Sequence, residues 1–123
     1  MLATTTILII EDEHDIRVAL RETLENAQFQ VLSTAHGREG LEMLKRIPVP
    51  QLILLGLKLP IRGGEDFLKE LQEIPSLRQI PVIVLSAHWE TSEPPSGAIC
   101  AIRKPVDSPR LIRTIQRHLV QPS

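Results

Sequence analysis

The stretch "TTILIIEDEHDIRVALRETLENAQFQVLSTA", residues 5–35, decides the fold. It opens on a short apolar, β-branched run, "TTILII" (5–10), which reads as a buried strand. "EDEHDIRVALRETLENAQ" (11–28) then sets Ile16, Ala19, Leu20, Thr23, Leu24 and Ala27 at three- and four-residue steps, the stripe of an amphipathic helix. "FQVLSTA" (29–35) returns to strand character. Strand–helix–strand alternation implies parallel strands covered by the helix.

The alternation runs on to the end of the chain. "GREGLEMLKRI" (37–47) repeats the helical spacing at Leu41, Leu44 and Ile47, and Pro48 stops it. "QLILLGL" (51–57) is a third strand, and "GGEDFLKELQEI" (63–74) a helix with Phe67, Leu68, Leu71 and Ile74 on one face. "IPVIVLSA" (80–87) and "AICAIR" (98–103) are the fourth and fifth strands. "DSPRLIRTIQRHL" (107–119) is the closing helix, with Ser108 as the expected N-cap and Pro109 at the first helical position. One crossover breaks the pattern. In "HWETSEPPSG" (88–97) Pro94 and Pro95 oppose a helix, leaving at most one turn near Trp89–Glu93. The expected fold is α/β: a doubly wound, five-stranded parallel sheet in the flavodoxin-like order 2-1-3-4-5, with a shortened or lost fourth helix. One domain covers residues 1–120, and residues 121–123 are a tail or the start of a linker.

Composition narrows the function. The chain of 123 residues is 42 % apolar but only 2 % aromatic, so its core is aliphatic. A net charge of −1 argues against a nucleic-acid-binding domain. The single cysteine, Cys100, excludes an internal disulfide and suits a reducing compartment. No run approaches the ~18 apolar residues of a membrane span. The N-terminus lacks a basic segment followed by an apolar one, so no signal peptide is expected and the expected location is cytoplasmic.

Candidate chemistry collects at the carboxyl ends of the strands, where an open α/β sheet places its ligands. Glu11, Asp12 and Glu13 follow the first strand. Clustered carboxylates suit a hard cation such as Mg²⁺, and acidic residues there also stabilise a helix N-terminus. Ser86 and Ala87 end the fourth strand, and a hydroxyl there either hydrogen-bonds a phosphoryl group or caps a turn. Lys104 and Pro105 follow the fifth strand, and the lysine suits a phosphoryl oxygen or the acidic cluster. The third strand delivers Gly56 to the same end, a residue with no side chain.

"ILIIEDE", "LILLGLKLPIRGGEDFLKEL", "IPVIVLSA" and "IRKPVD" together resemble, from end to end, the CheY-like receiver domain of two-component response regulators. The resemblance implies Glu11 and Asp12 as the Mg²⁺-binding acidic pair, and Ser86, Ala87, Lys104 and Pro105 as the phosphate pocket. Pro60 and Gly64 match the proline and glycine after the third strand. The phosphoacceptor aspartate falls on Gly56, which offers no oxygen for an acyl phosphate and no carboxylate for a metal.

Three further departures accompany the glycine. Ala101 stands where the family has an aromatic switch residue. The segment between Ser86 and Lys104 is a few residues short and carries Pro94-Pro95. Gly63 replaces the usual aspartate before Gly64. These favour a natural pseudo-receiver that is not phosphorylated and acts by protein–protein interaction. Its implied partners are other signalling proteins, among them a histidine kinase or an output domain, with neither nucleic acid nor membrane. Any Mg²⁺ binding should be weak or vestigial, and Asp12 and Lys104 should face one another across position 56. The alternatives are an active phosphorelay receiver with its acceptor deliberately replaced, and a Mg²⁺-dependent phosphatase or nucleotide-binding enzyme. The last lacks a nucleophile and a phosphate loop.

The remaining candidates are plainer. His14, His36, His88 and His118 are scattered without ligand spacing and read as surface residues. Cys100 reads as a small buried apolar side chain. Trp89 reads as loop packing or a partner anchor, and Arg110, Arg113 and Arg117 as a solvated face or a docking strip.

Overall fold

A computed structural model describes residues 5–46, 48–57, 62–86 and 95–119. Five strands form one parallel sheet: β1 (Thr6–Ile10), β2 (Gln30–Thr34), β3 (Leu52–Leu57), β4 (Val82–Ser86) and β5 (Cys100–Arg103). Their order is β2-β1-β3-β4-β5, the doubly wound arrangement expected. The described helices are α1 (His14–Asn26), α2 (Gly37–Arg46), α3 (Arg62–Gln72) and α4 (Ser108–His118).

Alternation along the strands divides the core into two layers. Leu8 and Ile10 of β1, Ile53 and Leu55 of β3, and Val82 and Val84 of β4 pack with Leu41 and Leu44 of α2 and Phe67, Leu68 and Leu71 of α3. Ile7, Ile9, Leu52, Leu54, Ile83 and Leu85 point the other way, against Leu20 and Leu24 of α1 and Leu111 and Ile115 of α4. Both faces of the sheet are therefore covered, which is why the central strands read as unbroken apolar runs.

Local chemistry sets the helix ends, in places one or more residues from where the sequence suggested. The expected first helix ran back to Glu11, but that residue continues the sheet ladder: its N–H donates to the Thr34 carbonyl at 3.0 Å. Glu13 is the N-cap of α1. At its other end Phe29 N–H reaches Leu24 O and Gln28 N–H reaches Glu25 O, both at 3.0 Å, the paired bonds of a Schellman closure. Gln28 holds the left-handed position at φ 75°, which glycine normally fills. For α4 the cap is Asp107 instead of Ser108. Its carboxylate accepts the Arg110 N–H at 2.9 Å, and Pro109 sits one position further into the helix than expected.

After β4, the described chain resumes at Pro95. Pro95 is buried, Ala98 N–H closes a turn onto its carbonyl at 3.0 Å, and Gly97 at φ 100° lies against Leu68 and Gln72 of α3. Residues 95–99 are thus a turn and not helix. The rest of the segment expected to lose its helix, with His88, Trp89 and Pro94, falls outside the described residues, as do Ala87 and Pro60.

Candidate functional site

The carboxyl ends of β1, β3, β4 and β5 meet at one edge of the sheet, and pairing brings the candidate residues together. Ile9 and Ile10 register with Leu54 and Leu55. One step further along both strands, Glu11 stands beside Gly56. Residues 7, 9 and 11 share a face with 52, 54 and 56, so the Glu11 side chain projects on the side where a residue at 56 would carry its own. On the far side Ser86 pairs with Arg103, and Lys104 N–H extends that ladder to the Ser86 carbonyl at 3.0 Å.

Glu11 is almost fully buried, at 1 % exposure, and both its carboxylate oxygens are engaged. Oε1 accepts from Lys104 Nζ at 2.7 Å, and Oε2 accepts from the Glu13 N–H at 3.0 Å. The lysine side chain is itself only 9 % exposed, with Glu13 Oε1 a second, longer partner at 3.9 Å. The ion pair expected between Asp12 and Lys104 is therefore made by Glu11, while Asp12 is an exposed residue just past the strand. The physical reason is alternation. Glu11 ends the strand pointing inward, and Asp12 begins the loop pointing out.

The carboxylate also occupies the acceptor's space. A Cβ placed on Gly56 would stand 2.1 Å from Glu11 Oε1 and 2.8 Å from its Cδ. The glycine thus leaves the space that the Glu11 carboxylate fills, besides lacking a nucleophile. Arg17 was not singled out from the sequence, although its Nη1 donates to the Glu11 carbonyl at 2.7 Å and its Nη2 lies 3.2 Å from His14 Nδ1. The signal was its place one turn into α1, facing back to the strand end. Ser86 is buried at the end of β4, and Pro105 follows Lys104 through a cis peptide bond. Ala101 is half-buried on β5 beside Val84, packed against the layer of α2 and α3. Cys100 is half-buried against the opposite layer. Arg110, Arg113 and Arg117 are exposed along α4.

The acidic pair does not fit a divalent cation as it stands. Among the described residues no group of three or more His, Cys, Asp or Glu side chains has the arrangement to hold one. Glu11 is committed to Lys104, and position 56 contributes no side-chain oxygen.

Comparison with known proteins agrees with this architecture. Residues 7–116 match the response regulator receiver domain family. The chain belongs to that family. It is 32 % identical over 120 residues to the polar-differentiation response regulator DivK of Brucella ovis, covering 94 % of this chain and 97 % of that protein. This receiver also superposes on the chemotaxis response regulator CheY4 of Vibrio cholerae with a TM-score of 0.81, at 26 % identity over 94 % of this chain and 98 % of the other. A sensor histidine kinase receiver domain from Pseudomonas aeruginosa gives a TM-score of 0.82 at 24 % identity, over 94 % and 97 % of the two chains. That protein has a magnesium ion coordinated in its active-site cleft. As a receiver, the chain is a two-component signalling module, and none of its described helices is long and apolar enough to cross a membrane.

Proposed function

We propose that this receiver signals by binding other proteins in one fixed state, without an acyl phosphate at position 56. The observation that carries this reading is the pocket itself. The acceptor position has no side chain, and the neighbouring Glu11 carboxylate stands within 2.1 Å of where one would begin. A phosphoryl group acts as a switch only by favouring one of two packed arrangements. Ala101 offers no large side chain to move between them, and residues 95–98 form a tight turn on α3. These two features favour a naturally non-phosphorylated receiver over an active one whose acceptor was deliberately replaced.

The test is treatment with acetyl phosphate and Mg²⁺, followed by intact-mass measurement under conditions that preserve acyl phosphates. The chain should keep its mass. A phosphoryl group added in stoichiometric yield and lost on mild base treatment would overturn the reading.

A further inference from the structure

We propose that Glu11 has taken over the structural place of the acceptor carboxylate, acting as the fixed counter-ion of Lys104 and thereby closing the pocket to a divalent cation. The proposal rests on the functional reading only in taking position 56 as the acceptor's place.

Strand parity and two contacts fix the Glu11 side chain. Its strand parity aims it at Gly56, Lys104 Nζ holds one oxygen at 2.7 Å, and the Glu13 amide holds the other at 3.0 Å. With the glutamate 1 % exposed and the lysine side chain 9 % exposed, the pair lies in the regime where a lost partner leaves an uncompensated buried charge. A buried lysine needs a close carboxylate; Glu13 stays exposed and 3.9 Å away, so the pocket supplies one from position 11 or from position 56. The overlap between Glu11 Oε1 and a Cβ at 56 prevents the present arrangement from holding both. The two positions are therefore coupled: Gly56 is what lets Glu11 reach the lysine, and Glu11 is what the lysine has in place of residue 56.

A cation site follows the same exclusion. With Glu11 Oε1 on the ammonium and Oε2 on a backbone N–H, each oxygen already has a donor, and Lys104 holds positive charge against the same carboxylate. Mg²⁺ keeps several waters and is held through one or two carboxylates, and here the buried carboxylate of the acidic pair is already held by the ammonium.

The experiment is a four-protein cycle of the parent, Glu11→Ala, Gly56→Asp and the double variant, unfolded in urea without metal. Each single change should lower the folding equilibrium constant by at least about tenfold, because one leaves Lys104 only its longer contact to the exposed Glu13 and the other crowds two carboxylates onto it. The double variant, with one carboxylate again facing the lysine, should return to within about threefold of the parent. Additive losses would overturn the proposal. If Glu11→Ala alone does not fold, folding of the double variant reads the same rescue, and a double variant that also fails to fold overturns the proposal. In a second arm, millimolar Mg²⁺ should leave the parent's urea midpoint unmoved and raise that of Gly56→Asp, whose added carboxylate completes a ligand set. A clear rise for the parent would also overturn it. The cycle reads the ion pair and the mass measurement reads phosphorylation, so the two readings fail separately.

Discussion

Replacing Gly56 by alanine should destabilise this domain, against the usual direction. Alanine in a strand interior ordinarily gains ~0.5–1 kcal/mol over glycine, because the unfolded chain loses less freedom on folding. Here the new Cβ would stand 2.1 Å from Glu11 Oε1, well inside the 3.0 Å that real Cβ contacts respect. The backbone is held by parallel pairing of Gly56 with Leu85, so the carboxylate must move. Moving it disturbs the bonds to Lys104 Nζ and to the Glu13 N–H, at 2.7 and 3.0 Å. Hydrogen bonds to charged groups are each worth ~1.5–3 kcal/mol, and a small rotation keeps part of that. The net loss should be about 1–3 kcal/mol, a fall in Tm on the order of 5–10 °C for a domain of this size. Thermal unfolding followed by circular dichroism measures it. The same substitution made in a Glu11→Ala background, where the clash is gone, should be neutral or stabilising. A Gly56→Ala variant with Tm at or above the parent's would refute the packing of Glu11 over position 56.

Other expectations follow from the described contacts. Asp107→Ala removes the side chain that caps Arg110 N–H and should cost about 1 kcal/mol in urea unfolding. Gln28→Gly relieves a left-handed residue at φ 75° and should raise stability by about 0.5–1 kcal/mol, read from the same curves. Leu54→Ala, at a fully buried site in the middle of the sheet, should cost about 2–5 kcal/mol with little change in the urea m-value.

Most of the architecture was legible because period and punctuation agree along this chain. The runs at 7–10, 52–55 and 82–85 announce central strands buried on both faces, and each amphipathic segment between them fills one layer of the core. Helix termini were less legible. Asp107 and Ser108 are both good caps, and only the geometry of the first turn separates them. In the site, the strand ends foretold that Glu11, Ser86 and Lys104 would gather around Gly56. The lysine's partner is Glu11 and not Asp12, because the face each acid presents, and not charge alone, decides which reaches Nζ. Glu11 shares parity with Ile7 and Ile9, and that parity, together with one extra methylene, lets it fill the space at position 56. The coupling crosses two strands far apart in sequence, so no local pattern carries it.

Whether Glu11, held by Lys104, fills the acceptor's place can be seen directly. A high-resolution crystal structure of the chain grown in saturating Mg²⁺ tests it most directly. The Glu11 carboxylate should lie beside Gly56, within hydrogen-bond distance of Lys104 Nζ, with no ion on the acidic pair. A Glu11 side chain turned out of the pocket, with Mg²⁺ bound between Glu11 and Asp12, would contradict it.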